Sequence, residues 1–573
     1  SDTQRLNALN ITGDAVFSSP VYVFTIGVTG ANATFNDIVN SNHPYTTVNQ
    51  GVINIWNDTA TATFNADFHG IMRFIGYNGS ITMADNTTIT GTVDGAAGAD
   101  ARGILNASGD LVITDNVGII QPLKVLNVNG SGKVLSLQGN ATIGSLNFVG
   151  DSTLLMSASK TFTGNIYATS ANIGTIDATS HNVTIVGNVG DADDNAIKLA
   201  NLGAGKTLTL SGGHIKTVTF GSSASVLALS GTGTRTLTIK DAINPATNDG
   251  IFHLLGSATT EVNANFGDAN TSFSYIEVGG SGETTLASGS GRQHISNVTY
   301  DAATSGEVIF AGNVDIENAV SFNNDGQGIG FGPDSSVTGG VNVGGYAAVI
   351  TLDSALGNIS YPLANVALSF SDTKSTLRIR GANTSTATAA LSDYSKIIVE
   401  SGSTAVFNDS VNITTFESAG TATFSESLSA NIDFTDDGVV NMPASTTITG
   451  TVNNISGTNN LGSINAAGDL TVTGVVGSTK AIKAINFGAA NTTVNLQSSA
   501  SISSLNFAGK SGTKLLMADG TTFTGGVVAG GRPFQLRRRA RQGSAELQRQ
   551  HVPLRSRQHR AGRLHARPGP ADR

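Results

Sequence analysis

The apolar residues of this chain recur in short pulses separated by polar turns, and residues 207–240 show the pattern most clearly. Four pulses read TLTL, TVTF, VLAL and TLTI, and they begin at residues 207, 217, 226 and 236. Within each pulse apolar and polar positions alternate, as in a β-strand that buries one face. The segments between the pulses are rich in Gly, Ser and Thr, which favour turns. The pattern therefore predicts short strands roughly ten residues apart.

The persistence of these pulses favours one all-β architecture. Their spacing alone is also compatible with an antiparallel sandwich. Three features favour an elongated parallel β-solenoid (β-helix). The pulses continue for about 500 residues without a helical pattern, Pro occurs only seven times in the first 531 residues, and Asn, Ser and Thr recur at turn positions, where stacked turns form side-chain ladders. With two or three pulses in each turn, a turn would contain roughly 20 to 30 residues, and the rod would be on the order of 100 Å long.

A long internal repeat lies within this rod. TATFNADFHGIMRF aligns with TATFSESLSANIDF, and LLMSASKTFTG aligns with LLMADGTTFTG. The two copies occupy residues 61–164 and 421–525 and are offset by 359 to 361 residues, which indicates a duplicated module of several turns. We expect three parts in the chain: an N-terminal segment or cap with the first turns (1–60), the solenoid (61–531) and an Arg-rich tail (532–573).

The tail reverses the local charge of the chain. Residues 532–573 contain twelve Arg, no Lys and two acidic residues, a balance of +10. Because the net charge of the whole chain is −9, residues 1–531 carry −19. An acidic body argues against nucleic-acid binding by the solenoid. The tail replaces a turn that the first copy contains, and its composition is typical of a GC-rich gene read in another frame. We interpret it as unrelated to the solenoid and disordered, with a genuine basic tail and a fusion scar as alternatives.

Acidic turns provide candidates for a bound cation. Asp191, Asp193 and Asp194 lie in GDADDN, and Asp325 lies in NNDGQG. Clustered carboxylates are ligands that Ca²⁺ prefers, but neither segment completes an EF-hand loop. We therefore expect either a weak Ca²⁺ site at one of these turns or ordinary solvated turns, and no other cofactor.

Few motifs suggest catalysis, and no catalytic residue is assigned. The Gly-rich sequence GQGIGFG at 326–332 lacks the strand–helix context of a dinucleotide site and is interpreted as a loop that protrudes from the rod. The histidines show no spacing that pairs one of them with an Asp. The chain has no Cys, which excludes disulfides and thiolate metal sites. Trp56 is the single tryptophan, and we expect it to fill the core or a cap rather than to serve as a platform for sugars.

Several turn sequences carry a resemblance to a known family. TTITGTV, TFTGGV and GDLTVTGVVGSTKAIKAINFGAANTTVNLQSSASISSLNFAG resemble the passenger repeats of bacterial autotransporter surface antigens, in particular the rickettsial outer membrane protein A and B type. The resemblance implies a secreted β-helical passenger that is displayed on the bacterial cell surface in association with the outer membrane. It implies that the protein is not an enzyme. It also implies that the partner is either a receptor on a host cell or, in a surface layer, another copy of the protein. Such antigens end in an outer-membrane translocator, which we expect this chain to lack.

Two other functions remain open at the sequence level. One is a self-assembling surface-layer or filament protein unrelated to autotransporters. The other is a carbohydrate-active β-helix enzyme, which needs two or three carboxylates that converge in a groove.

Overall fold

The computed structural model describes residues 6–40 and 51–538, apart from short gaps at residues 77, 97, 99–100, 192–194, 242, 244–249, 258, 269, 288–291, 508 and 529–534. These residues form 57 β-strands and no α-helix. The described part of the chain contains no helix that is long and apolar enough to cross a membrane.

The strands are short, and most of them contain three to six residues. Up to residue 240 they are Leu6–Ile11, Ala15–Phe17, Val21–Val28, Asn32–Phe35, Val39–Asn40, Val52–Ile55, Thr61–Phe64, Phe68–His69, Ile71–Phe74, Ser80–Met83, Thr87–Thr90, Val93–Gly95, Arg102–Ala107, Leu111–Ile113, Leu123–Val128, Val134–Leu137, Ala141–Phe148, Thr153–Met156, Lys160–Ala168, Thr175–Ala178, Val183–Val186, Ile197–Leu202, Thr207–Leu210, Gly213–Phe220, Val226–Leu229 and Arg235–Ile239.

The strands of the remaining chain continue the same series. They are Ile251–Leu254, Thr260–Asn263, Phe273–Val278, Glu283–Ala287, Gln293–Tyr300, Glu307–Phe310, Val314–Ile316, Val320–Ser321, Gly328–Phe331, Ser336–Gly344, Val349–Asp353, Ile359–Tyr361, Asn365–Phe370, Ser375–Arg380, Thr384–Ala387, Tyr394–Val399, Thr404–Phe407, Val411–Ser418, Thr421–Phe424, Leu428–Phe434, Val439–Met442, Thr446–Thr449, Val452–Asn454, Leu461–Ala466, Leu470–Val472, Ile482–Phe487, Thr493–Leu496, Ala500–Asn506, Lys514–Met517, Phe523–Val528 and Gln535–Arg538.

Most strands within the rod pair in parallel with a strand one turn earlier and a strand one turn later. Thr61–Phe64, for example, lies between Asn32–Phe35 and Ser80–Met83. The paired strands stack into a succession of about 23 turns, which confirms the predicted parallel β-solenoid. At about 4.8 Å for each turn, the rod is about 110 Å long.

The length of a turn varies along the rod. Asn32 and Thr61 lie on neighbouring turns and are 29 positions apart in the sequence. Asn408 and Ser425 also lie on neighbouring turns but are only 17 positions apart. The paired strands keep a continuous parallel register although the turns that separate them differ in length. Some turns are therefore shorter than the sequence pattern predicts.

Alternating burial gives the rod a dry interior and a polar exterior. In Val134–Leu137, as in most strands, every second side chain points inward and is buried. Identical inward positions of successive turns stack, as Phe17, Phe35 and Phe64 do, with ring centroids 5.0 and 4.9 Å apart. Such stacks of aromatic rings join neighbouring turns through the core.

Glycine lies at an irregularity of strand pairing at equivalent places in the two copies of the repeat. Gly164 has a φ of 138° and Gly525 a φ of 143°, values that only glycine adopts without strain. A Cβ atom at either position would lie 1.6 Å from the carbonyl oxygen of the preceding turn, that of Ile143 or Ile502. The glycine of the TFTG sequence that ends each copy therefore permits a close approach between neighbouring turns.

The structure shows the conformation of the Gly-rich sequence and of a short part of the Arg-rich tail. The Gly-rich sequence at 326–332 is not a protruding loop, because Gly328–Phe331 is a strand that pairs with Glu307–Phe310 and Val349–Asp353. Its outward glycines are covered by neighbouring side chains. Of the Arg-rich tail, the structure describes only Gln535–Arg538, which pair in parallel with Lys514–Met517.

Candidate functional site

The four predicted cation ligands do not form a group in the described part of the chain. Asp191 is exposed at the edge of a groove that also involves His214 and Arg235. Asp193 and Asp194 lie outside the described residues. Among the residues that the structure describes, no three His, Asp or Glu side chains come close enough to hold a metal ion. Ca²⁺ binding stays a prediction.

Asp325 has a structural partner. Its Oδ1 accepts a hydrogen bond of 2.8 Å from the backbone N–H of Ala347, which lies 22 positions later in the sequence. The carboxylate therefore joins its turn of the solenoid to a neighbouring turn.

Asparagine ladders run along the exterior of both copies of the repeat. In the first copy, Nδ2 of Asn127 donates to Oδ1 of Asn106 at 2.8 Å, and Nδ2 of Asn147 donates to Oδ1 of Asn127 at 2.9 Å. In the second copy, Asn486 donates to Asn465 at 2.8 Å in the same way. Amides within a ladder both donate and accept, so the polar atoms that the ladder partly buries are satisfied.

A network of charged side chains lies on the exterior between the two copies. Nη1 of Arg378 donates to Oε2 of Glu307 at 2.7 Å and to Oε2 of Glu283 at 3.0 Å. Arg380 donates to Glu283 and to Asp353, both at 2.9 Å. These contacts connect residues up to 97 positions apart in the sequence, across several turns.

Burial determines the electrostatics of this network. The Glu307 side chain is only 8% exposed and the Asp353 side chain only 4%. Burial raises the pKa of Glu307, although the neighbouring Arg378 and a hydrogen bond from Thr351 oppose that rise. The carboxylates converge, as a glycosidase would require, but the arginines pair with them and little of Glu307 or Asp353 faces solvent. The arrangement favours a clamp between turns over a catalytic groove.

Two histidines have acidic neighbours, although no spacing in the sequence pairs a histidine with an Asp. Nδ1 of His253 lies 3.8 Å from Glu277, and its Nε2 lies 3.7 Å from Asp301. Nδ1 of His294 lies 3.5 Å from Asp315. The parallel register places residues of successive turns side by side, so these contacts follow from the pairing and not from local motifs.

Trp56 is not a core or cap residue, because half of its side chain is exposed. Inward Ile53 and Ile55 are fully buried, so the alternation of the strand Val52–Ile55 directs Asn54 and Trp56 outward. The indole leans toward Gly27, one turn earlier. A Cβ atom at Gly27 would lie 3.1 Å from Nε1 of Trp56 and 2.9 Å from Oδ1 of Asn10. The missing side chain of Gly27 thus leaves the space that the indole edge and the amide occupy.

The fold and these surfaces define a long β-solenoid whose exterior is organised in polar and charged ladders. No protein-family model matches the chain, and no solved structure matches it. Outer membrane protein A of Rickettsia rickettsii is similar to it, with 27% identity over 448 residues. The similarity covers 70% of this chain but only 18% of the relative, so the chain spans less than a fifth of that protein's length. It confirms the resemblance to the rickettsial antigens that the turn sequences indicate.

Proposed function

We propose that this chain is a surface-displayed passenger segment of an outer membrane protein, that it acts as an adhesive rod, and that it performs no catalysis. One observation carries the proposal: the similarity to a rickettsial outer membrane protein extends over 448 residues, most of which build a single solenoid. The stacked turns supply stiffness and reach, and the outward ladders supply contact surface. The partner is a receptor on a host cell.

The charged network supports a mechanical role for the middle of the rod. Arg378 and Arg380 connect turns that are distant in sequence, and their carboxylate partners Glu307 and Asp353 are buried. Side chains committed to such contacts hold turns together and do not face a substrate. Adhesion then depends on the more exposed surfaces of the rod.

Attachment to cells tests the proposal. Beads coated with the purified chain are incubated with cultured epithelial cells, and attached beads are counted, with albumin-coated beads as the control. We expect saturable attachment that the soluble chain competes away. Attachment no greater than that of albumin-coated beads would contradict adhesion. If the chain instead forms sheets or filaments with increasing concentration and does not attach to cells, the surface-layer function replaces the adhesive one.

A further inference from the structure

We propose that Trp56 and the outward side chains beside it form a binding site for a neutral glycan. This inference deepens the proposed function and rests on it, because it names the chemical class of a partner for the rod. The site lies on the outward face of the first turns. It is separate from the charged network and from the candidate cation turns.

The parallel register arranges the polar part of this site. Asn10 pairs with Gly27, Gly27 with Asn54, and Asn54 with Arg73, so these four positions form one outward row on successive turns. At about 4.8 Å for each turn, the row is about 14 Å long. It presents amide donors and acceptors and a guanidinium group, and at Gly27 the edge of the Trp56 indole and the Asn10 amide occupy the place of a side chain. A short oligosaccharide that lies along the rod would meet these groups in sequence.

The aromatic part of the site lies at the Gly27 position of this row. Half of the Trp56 side chain is open to solvent, and its Nε1 edge lies over Gly27. An exposed indole offers a large apolar face together with an N–H donor. A pyranose ring has the complementary structure, with an apolar C–H face and hydroxyl groups at its rim. Stacking on the indole and hydrogen bonds to the row would therefore act on the same ligand.

The backbone around Trp56 is fixed before any ligand arrives. The N–H of Trp56 donates to the carbonyl oxygen of Val28 at 2.9 Å. The side chain of the next residue, Asn57, accepts hydrogen bonds of 3.2 Å from both the N–H and the hydroxyl of Thr59. A fixed backbone at the platform reduces the entropy lost on binding.

Charge selects neutral glycans over anionic ones. Residues 1–531 carry a net charge of −19, which repels sulfated or otherwise polyanionic chains. Arg73 is the one charged side chain among the four positions, and the next turn places buried Asp94 in register with it. The remaining groups suit hydroxyl and acetamido substituents.

The experiment uses the fact that Trp56 is the only tryptophan in the chain. The full chain is first applied to a printed panel of neutral and polyanionic glycans. The neutral glycan with the strongest signal is then titrated into the chain, while tryptophan emission and quenching by acrylamide are recorded. We expect a saturable change of emission and protection from quenching. Heparin should have neither effect.

Substitutions separate this site from the rest of the exterior. Trp56→Ala should weaken binding, measured by calorimetry, by about tenfold or more, and Trp56→Phe by less, because a smaller ring remains. Asn10→Ala should weaken it severalfold. Tyr275→Ala is the matched control, because this tyrosine is also exposed but lies on a different part of the rod. Circular dichroism verifies that each variant is folded.

The inference is overturned if no neutral glycan on the panel binds, if only polyanionic glycans bind, or if Trp56→Ala binds as tightly as the wild type. Cell attachment distinguishes this failure from that of the proposed function. If the chain attaches to cells but binds no neutral glycan, the result supports adhesion and refutes the glycan site. If the chain binds a neutral glycan but does not attach to cells, the result supports the glycan site and refutes adhesion to those cells.

Discussion

Arg378 illustrates how a single residue can join many turns of a solenoid. Its guanidinium group contacts Glu307 and Glu283 at 2.7 and 3.0 Å and also lies 3.6 Å from Glu400. Burial raises the pKa of Glu307 and also that of Glu400. The carboxylates outnumber the arginines, so removal of one cation leaves buried negative charge without compensation.

Arg378→Met should destabilise the chain in a pH-dependent manner. Loss of one partner of a buried ion pair costs about 3–5 kcal/mol of unfolding free energy when the other partner stays charged. The pKa of Glu307 is higher in the folded state than in the unfolded state. The loss of stability caused by its charge is therefore absent at pH values below the unfolded-state pKa and complete at pH values above the folded-state pKa. The cost of Arg378→Met should therefore be larger at pH 8 than at pH 4.5. Urea unfolding at the two pH values measures it.

Glu307→Gln supplies the control for this prediction. The amide keeps an acceptor for Thr351, whose hydroxyl lies 2.6 Å from Oε1 of Glu307, but it carries no charge. The double variant Arg378→Met/Glu307→Gln should recover part of the stability that Arg378→Met loses at pH 8. An equal cost of Arg378→Met at both pH values, with no recovery in the double variant, would show that the charge of Glu307 does not matter.

The sequence predicted individual side chains less well than it predicted strands. The sequence interpretation placed Trp56 in the core or a cap, where aromatic residues contribute a large buried area. The alternation of inward and outward positions in VINIW places Trp56 on the outward face, next to buried Ile55. This local pattern predicts the position of Trp56 correctly. His253 and Glu277 lie in different pulses of the sequence, and only the register of the two turns brings them together.

At the scale of one element, the strand Gly328–Phe331 shows why two outward positions lack side chains. A Cβ atom at Gly328 would lie 2.9 Å from Cγ of Glu307, and one at Gly330 would lie 2.7 Å from Cγ2 of Ile309. The space above the strand is filled by side chains from other turns, including those of the charged network. The glycines here make room for neighbours, and they do not form a flexible loop.

Gly328→Val should therefore destabilise the rod. Overpacking typically costs about 1–3 kcal/mol, and here the new side chain also displaces Glu307 from the network. Urea unfolding at pH 7 measures the loss. Gly457→Ala is the control, because a Cβ atom at this position would have no neighbour within 4 Å. Equal stability of Gly328→Val and the wild type would mean that the space above the strand is not filled as described.

Strand positions followed from sequence because apolar and polar residues alternate in nearly every pulse. The pulse TLTL, for example, is the strand Thr207–Leu210 with Leu208 and Leu210 buried. Pairing partners did not follow, because the turns differ in length and shift the register irregularly along the chain. The charged network and the row beside Trp56 depend on that register, so the sequence alone could not assemble them.

At the scale of the whole molecule, the contacts of each turn are made mainly with its two neighbours. A rod of this kind behaves as a one-dimensional series, in which stability is approximately a sum over turns and their interfaces. The two copies of the repeat lie far apart along it and contain equivalent asparagine ladders. The same change can therefore be made at two places that differ mainly in position.

Asn127→Ala and Asn486→Ala should affect different parts of the unfolding transition. Each substitution removes an amide that donates a hydrogen bond of 2.8 Å to the previous turn, and the expected cost in unfolding free energy is about 1–2 kcal/mol.

Trp56 fluorescence reports on the first turns alone, whereas circular dichroism reports on all strands. Asn127→Ala, which lies near Trp56 in the series, should lower the urea midpoint of the fluorescence transition. Asn486→Ala should leave that midpoint unchanged and lower only the midpoint from circular dichroism. If Asn486→Ala shifts both midpoints equally, the rod unfolds in one cooperative step, and stability is shared over the whole solenoid.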